Sequence, residues 1–511
     1  MASPGSCSVE EILRVPDDDR EAEAGAFVLN EFIRRLSICL LIAAISLAGR
    51  IDVSAQGGSP ALFLPIAMHT FPLRTVFGIE SSKLTTSSVG IAAAGASWVR
   101  KNALVWRDVE PTKGARNWNA VAALEQELLA ARSQHLAVIL VVRGVPDWAR
   151  RPESMGSDKN PSQCGPVRDD QLAAFARFMR DAVARYSASP YQVLYWEMWN
   201  EPDVDPSLVV SNSVFGCYGD KTDEYYGGDD YARMLQAVHP AVKSVNPHAQ
   251  IVVGGLLMDC DPDNTTLKCN EGEKIRVGRF FEGILRAGGG AYFDVANIHS
   301  YDRYVNGQPI GTYSNVNWTN TQVDGPVLLR KVAYLRDVLA RYGHPDKPIM
   351  NTETAVICAG RNFPCDAAPD DPKNNAPNDN IQRANAYYIA QSYAAAKSVG
   401  LLANIHYSYE GWNGTNMVVG SSTLLPYHAF QEASARLAAA TYVGPLTTAD
   451  AGAAGLTGYK FLRNGKPVWV VWSLDGVAHT LIVTGAPTLT TALGESASTA
   501  IGYEPVYVEW P

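Results

Sequence analysis

Eight short apolar runs, each followed by a longer stretch of helical periodicity, occupy the chain from residue 74 to about 410, and no other feature limits the possible folds so sharply. The runs are Val76–Glu80, Ser97–Arg100, Leu136–Arg143, Val193–Glu201, Gln250–Gly255, Phe293–His299, Pro348–Thr354 and Leu401–Tyr409. They are rich in Val, Ile and aromatic residues, which marks strands. Between them, Asp170–Tyr186 sets Leu172, Phe175, Met179, Val183 and Tyr186 on one face at steps of three and four. A second clear helix opens at Pro326 and closes at Gly343, and Asn380–Gly400 repeats the pattern before the eighth run. Eight βα units close most simply into an α/β fold, a (β/α)8 TIM barrel with helices covering a ring of parallel strands.

After a last helix near His428–Ala440 the texture changes. The stretch GYKFLRNGKPVWVVWSLDGVAHTLIV alternates apolar and polar residues around Asn464-Gly465 and Asp475-Gly476, the signal of hairpins. Residues 446–511 therefore read as a small C-terminal β-sandwich and 56–445 as the barrel. Before them, Arg34 and Arg35 precede an apolar run, Leu36–Ala48, and the small-residue site Val53-Ser54-Ala55. That order predicts a signal peptide ending at residue 55, with an uncleaved anchor as the alternative. The run is shorter than the ~20 residues a membrane-crossing helix needs, so no stable membrane insertion is expected after cleavage. The predicted location is outside the cell or in the periplasm.

Six cysteines follow residue 55, an even number suited to an oxidising compartment. Cys260 with Cys269, and Cys358 with Cys365, are close enough to close small loops, leaving Cys164 with Cys217; free buried thiols are the other reading. No C-x-x-C or H-E-x-x-H spacing occurs, and the acidic loop around Asp261 lacks the glycine of a calcium loop, so no metal is expected. No organic cofactor is expected either. A net charge of −9 argues against a nucleic-acid partner, which calls for a basic face.

The chemistry is carried by two carboxylates. The stretch YWEMWNEPD ends an aromatic run on Asn200 and Glu201, and IMNTETAV ends another on Glu353. An unpaired carboxylate in an apolar run is costly, whereas reactive groups of a βα barrel sit where strand ends converge on one mouth. Two carboxylates flanking one site are what glycosidic cleavage requires: ~5–5.5 Å apart gives retention of configuration, and ~6.5–9.5 Å gives inversion. The sequence alone leaves that distance open.

The segment WEMWNEPD resembles the Asn-Glu-Pro signature of the clan A glycoside hydrolases. WVRKNALVWRDVEPTKGARNWN, VRGVPDWA and NIHSYD are similar to their second-, third- and sixth-strand regions, so the resemblance spans residues 74–445. The WNEP form and the appended β domain look most like glycoside hydrolase family 39, which includes β-xylosidase and α-L-iduronidase. The resemblance implies a secreted retaining glycosidase acting on a glycoside, oligosaccharide or polysaccharide, with Glu201 as acid/base and Glu353 as nucleophile. It also implies a bond from Asn200 to the sugar 2-hydroxyl, and His299 and Tyr301 lining the site and holding the nucleophile.

Several readings stay open beside these. Asn200 also suits a cap, and His299 a structural role. Arg100 either keeps Glu353 ionised or pairs with Glu197. Trp412 is a stacking platform or a core residue, while Trp106, Trp148 and Trp199 read as core. The activity predicted is bell-shaped in pH with its optimum on the acid side. A transglycosylase and an inactive sugar-binding barrel are the rival functions.

Overall fold

All eight predicted runs form strands, and these pair in parallel in the order β5-β4-β3-β2-β1-β8-β7-β6. They are β1 Phe77–Glu80, β2 Trp98–Val105, β3 Ala137–Arg143, β4 Tyr195–Asn200, β5 Gln250–Gly255, β6 Ala296–Tyr304, β7 Ile349–Cys358 and β8 Ala403–His406. Parallel bridges Val252↔Val295 and Leu256↔Ile298 join β5 to β6 and close the ring. The computed structural model describes residues 75–151, 164–209, 214–263, 277–304, 309–318, 325–358 and 377–511.

Three strands run beyond their predicted ends. β2 continues past Arg100 to Val105, β6 past His299 to Tyr304, and β7 past Thr354 to Cys358. An apolar-run criterion stops where polar residues begin, but β6 and β7 go on pairing from His299↔Glu353 to Tyr304↔Cys358. Arg100, His299, Tyr301 and Glu353 therefore stand within strands rather than at or after their ends, a correction to the sequence reading.

The helices follow from amphipathic spacing. Leu172–Tyr186 buries Phe175, Met179, Val183 and Tyr186, the face foreseen from the sequence. Leu328–Arg341 buries Leu328, Lys331, Val332, Leu335, Val338 and Leu339. Asp379–Ser398 is capped by the Asn378 side chain, which accepts from the Ile381 N–H. Inside the ring, Trp98, Ile139, Val252, Val295, Met350 and Ile405 form an apolar plug, and a larger core fills the space between strands and helices. This filled floor confines polar chemistry to the C-terminal rim.

The C-terminal region is an antiparallel sheet of Thr441–Pro445, Leu456–Arg463, Lys466–Ser473, Val506–Glu509 and Thr488–Thr491, with a two-stranded ribbon of His479–Thr480 and Ala500–Ile501. Its first strand starts at Thr441, ahead of residue 446. Asn464 and Gly465, both at positive φ, make the predicted tight hairpin. Glu509 accepts from Arg436 Nε at 2.9 Å and Arg463 Nη2 at 2.6 Å, tying the sheet to the last barrel helix.

Cys164 and Cys217 form a disulfide with Cα atoms 5.3 Å apart, joining the segments after β3 and β4. Cys260 and Cys358 each take part in a further disulfide, not with one another; Cys269 and Cys365 lie outside the described residues, as does the predicted signal peptide. Among the described residues no helix is long and apolar enough to cross a membrane.

Candidate active site

The site is organised around Arg100, a fully buried guanidinium on β2. Nε and Nη2 donate to the two oxygens of Glu197 at 2.9 and 2.6 Å, and Nη2 also donates to Asn200 Oδ1 at 2.8 Å. Nη1 donates to Glu80 Oε2 at 2.7 Å and to Glu353 Oε1. All five guanidinium N–H donors are thus used. The sequence offered Glu353 or Glu197 as the partner, and Arg100 takes both. Glu80 was not singled out in the sequence, although an acid ending the FGIE strand carries the same signal as Glu201.

Three carboxylates around one guanidinium leave excess negative charge. Burial, reinforced by Glu353 and Glu197 and opposed by Arg100, pushes the Glu80 carboxyl up to about 8, so Glu80 carries a proton at neutral pH. Glu353 is differently served. Its second oxygen accepts from the Tyr301 hydroxyl, and burial keeps Tyr301 protonated as a donor. Burial raises the Glu353 pKa above the ordinary range, while the Arg100 charge and the Tyr301 bond oppose the rise.

Glu201 lies just past β4, where the backbone departs from strand geometry. Trp199 and Glu201 have φ of 66° and 43°, a left-handed conformation that bulky side chains rarely adopt. Asn200 consequently shares Arg100 with Glu197, while Trp199 packs against Phe175 and Tyr218. The Glu201 pKa is raised well above the usual value by burial, then by the Glu353 charge and by Asp203; Arg100 and Lys331 oppose this. The closest oxygens of Glu201 and Glu353 lie within 4.8 Å of each other.

His299 joins the two acids. Nδ1 is 2.9 Å from Glu201 Oε1 and 3.4 Å from Glu353 Oε2, and Nε2 is 3.1 Å from Thr352 Oγ1. Burial, with Arg100 and Lys331 nearby, holds its pKa well below the ordinary value and the ring neutral. Thr352 Oγ1 donates to Glu197 Oε1 at 3.4 Å and accepts from Asn297 Nδ2 at 2.8 Å, so it accepts from a protonated Nε2. Nδ1 is then an acceptor, and the contact with Glu201 needs the proton on the carboxyl. Glu201, His299 and Glu353 also have the spacing of a metal triad. Their ligand atoms are already engaged, however: Glu353 by Arg100 and Tyr301, and Glu201 by His299.

The register of β6 against β7 shifts between Ile298 and His299, and that of β7 against β8 between Asn351 and Thr354. Such irregularities re-aim side chains at barrel rims. Gly255 makes room: a Cβ there would lie 1.9 Å from His299 Nε2. Gly255→Ala is expected to displace His299 and to destabilise the fold by about 1–3 kcal/mol through overpacking, measured by denaturant unfolding. An unchanged midpoint would contradict this contact.

Above these groups opens a cleft of about 450 Å³ lined by Asn200, Glu201, Tyr301, Glu353, Tyr407 and Trp412 among others. Trp412 is 52% exposed and edge-on to Tyr301 and Tyr407, so it is a rim residue rather than core. Trp106 and Trp199 are buried in the core, and Trp148 packs against Trp106. All seven residues singled out from the sequence, Arg100, Asn200, Glu201, His299, Tyr301, Glu353 and Trp412, thus gather at one end of the barrel. The sequence reading missed Glu80, Thr352, Asp203 and Lys331, whose importance depends on partners far away in the chain.

No protein-family model matches this chain, and no curated protein matches it. Solved structures do resemble it. A family 39 glycoside hydrolase from the gut symbiont Bacteroides cellulosilyticus WH2 is 19% identical, covering 86% of this chain and 81% of that one, with a TM-score of 0.59. A family 30 endoxylanase from Clostridium papyrosolvens is 11% identical over 86% and 97% of the two chains, with a TM-score of 0.51. The catalytic domain of xylanase C from Talaromyces cellulolyticus is 13% identical over 86% and 98%, with a TM-score of 0.50. At such identities the likeness is one of fold, and it defines the class: a (β/α)8 barrel with an appended β domain.

Proposed function

We propose that this chain is a retaining clan A glycoside hydrolase, similar in character to family 39, that cleaves an O-glycosidic bond without a metal or organic cofactor. The observation that carries the proposal is the pairing of Glu201 and Glu353, oxygens within 4.8 Å, in unequal surroundings at the floor of one cleft, with Arg100 and Tyr301 bonded to Glu353 and not to Glu201. That spacing favours the retaining arrangement of ~5–5.5 Å over the inverting one. The glycoside hydrolases among the structures of like fold support the same reading.

In this proposal Glu353, ion-paired with Arg100 and hydrogen-bonded by Tyr301, attacks the anomeric carbon as a carboxylate. Glu201 passes its proton to the departing glycosidic oxygen, and an ester to Glu353 results. Water then attacks the same carbon, gives its proton to Glu201 and frees Glu353, so two inversions give net retention. Asn200, held by Arg100, is directed at the sugar 2-hydroxyl. His299 orients Glu201, and the Trp412 indole stacks on the apolar face of a sugar ring.

The test is hydrolysis of a panel of nitrophenyl glycosides with the product anomer followed by NMR. An inverted first-formed product, or no turnover of any glycoside or polysaccharide, would overturn the proposal. Trp412→Ala is expected to raise KM by about 5- to 30-fold with little change in kcat, the effect of losing one stacking contact. A kcat loss at constant KM would place Trp412 elsewhere in the mechanism. We also propose export through the 1–55 segment and a division just ahead of Thr441, where the C-terminal sheet begins, rather than at residue 445; the Cys164–Cys217 disulfide suits an oxidising compartment.

A further inference from the structure

Lys331 lines the cleft yet has no part in the mechanism above. It lies on the helix Leu328–Arg341 and is only 3% exposed. Burial pushes its pKa down to about 8, against the pull of Asp259, Asp203, Glu201 and Asp302, which are the acids facing it. A charge retained in such a place has a task to explain.

That task is visible at the seam between β5 and β6. Among the described residues this neighbouring pair alone in the ring is joined by single bridges rather than a continuous ladder. His299 N–H donates to Leu256 O at 2.8 Å, and there the pairing ends. Leu257 N–H turns instead to Asp203 Oδ1 at 2.9 Å, and Met258 N–H to Asp203 Oδ2 at 2.7 Å. The carbonyls of Leu257 and His299 are left for Lys331, whose Nζ donates to them at 2.6 and 2.8 Å. Its ammonium also stands 5.7 Å from the Trp318 ring. One cation therefore closes the open end of the seam directly beneath the residue that touches Glu201.

We infer that Lys331 is a positioning residue for the acid/base, stapling β5 to β6 through the Leu257 and His299 carbonyls and so fixing His299 against Glu201. The inference rests on the glycosidase reading and adds a role within it. A misplaced acid matters most when the leaving group needs its proton. A 2,4-dinitrophenolate leaves without help, whereas an alkoxide does not.

The experiment compares Lys331→Met and Lys331→Arg with wild type on the 2,4-dinitrophenyl and the methyl glycoside of the sugar that wild type hydrolyses. For Lys331→Met, kcat/KM on the methyl glycoside is expected to fall about 10- to 100-fold more than on the dinitrophenyl glycoside, the scale of a misplaced catalytic group. Loss of the cation also removes a charge that favours ionised Glu201, so the alkaline limb should move to higher pH. Lys331→Arg, which keeps charge and donors, should restore most of both effects. Equal losses on the two substrates with an unmoved alkaline limb would mean a packing role only and would overturn the inference. If Lys331→Met does not fold, Lys331→Gln, with one amide donor group and no charge, is read by the same signs. A wild type inert on both glycosides would instead overturn the glycosidase reading itself.

Discussion

Replacing Glu353 with alanine is expected to lower kcat for every glycoside by a factor on the order of 10⁵, because the covalent step loses its nucleophile and no neighbour can take its place. Arg100 would still hold Glu197 through two bonds and Glu80 through a third, so the fold should survive. Glu80 would respond: the Glu353 charge is among the causes raising its pKa, so its removal should bring that pKa down from about 8. The decisive measurement is trapping. A 2-fluoro glycoside with a good leaving group should add one fluoroglycosyl mass to the wild type, on the peptide containing Glu353, and none to the variant. Label on any other residue, or kcat within tenfold of wild type, would remove Glu353 from its proposed role.

Replacing Glu201 with alanine is expected to separate the two half-reactions. For an alkyl leaving group kcat/KM should fall by about 10²–10⁴, the range of general acid catalysis, while for dinitrophenolate it should change only severalfold. Azide, which needs no base, should then speed turnover and yield a glycosyl azide of retained configuration. Equal losses for both leaving groups would refute an acid role. The pH profile follows with a definite sign. Glu353 must be ionised, so the rate rises with pH through its pKa; Glu201 must start protonated, so the rate falls through its own. Both are raised by burial, and Glu201 is raised the more strongly, since Arg100 and Tyr301 oppose the rise only at Glu353 as hydrogen-bond donors. The wild-type bell should therefore sit above the ordinary carboxylate range, and Glu201→Ala should keep the acid limb and lose the alkaline one.

Much of the barrel was legible because its signals are local. Burial of a strand demands an unbroken apolar run, and burial of one helix face demands steps of three and four, so both elements could be read from neighbouring residues. Strand ends were read less well. β6 and β7 continue through YDRY and AVIC because each supplies the other with backbone partners, and pairing has no signature in one run taken alone. Glu201 and Glu353 stood out because a carboxylate at the tip of an apolar run is expensive unless something compensates for it.

What compensates was beyond the reach of the sequence. Arg100 could be assigned to Glu353 or Glu197 with equal reason, and it holds both together with Glu80 and Asn200. The proton on Glu80, the neutral ring of His299 and the unequal states of Glu201 and Glu353 depend on distances of a few ångströms between distant segments. Residue order by itself determined the number of strands, the helical faces and the choice of Glu201 and Glu353 as the reactive acids, since each answers to burial along a short stretch of chain. Only the closed barrel decided which charges meet and which acid keeps its proton, because electrostatic energy depends on separation and burial in space, and neither is written in the spacing of residues.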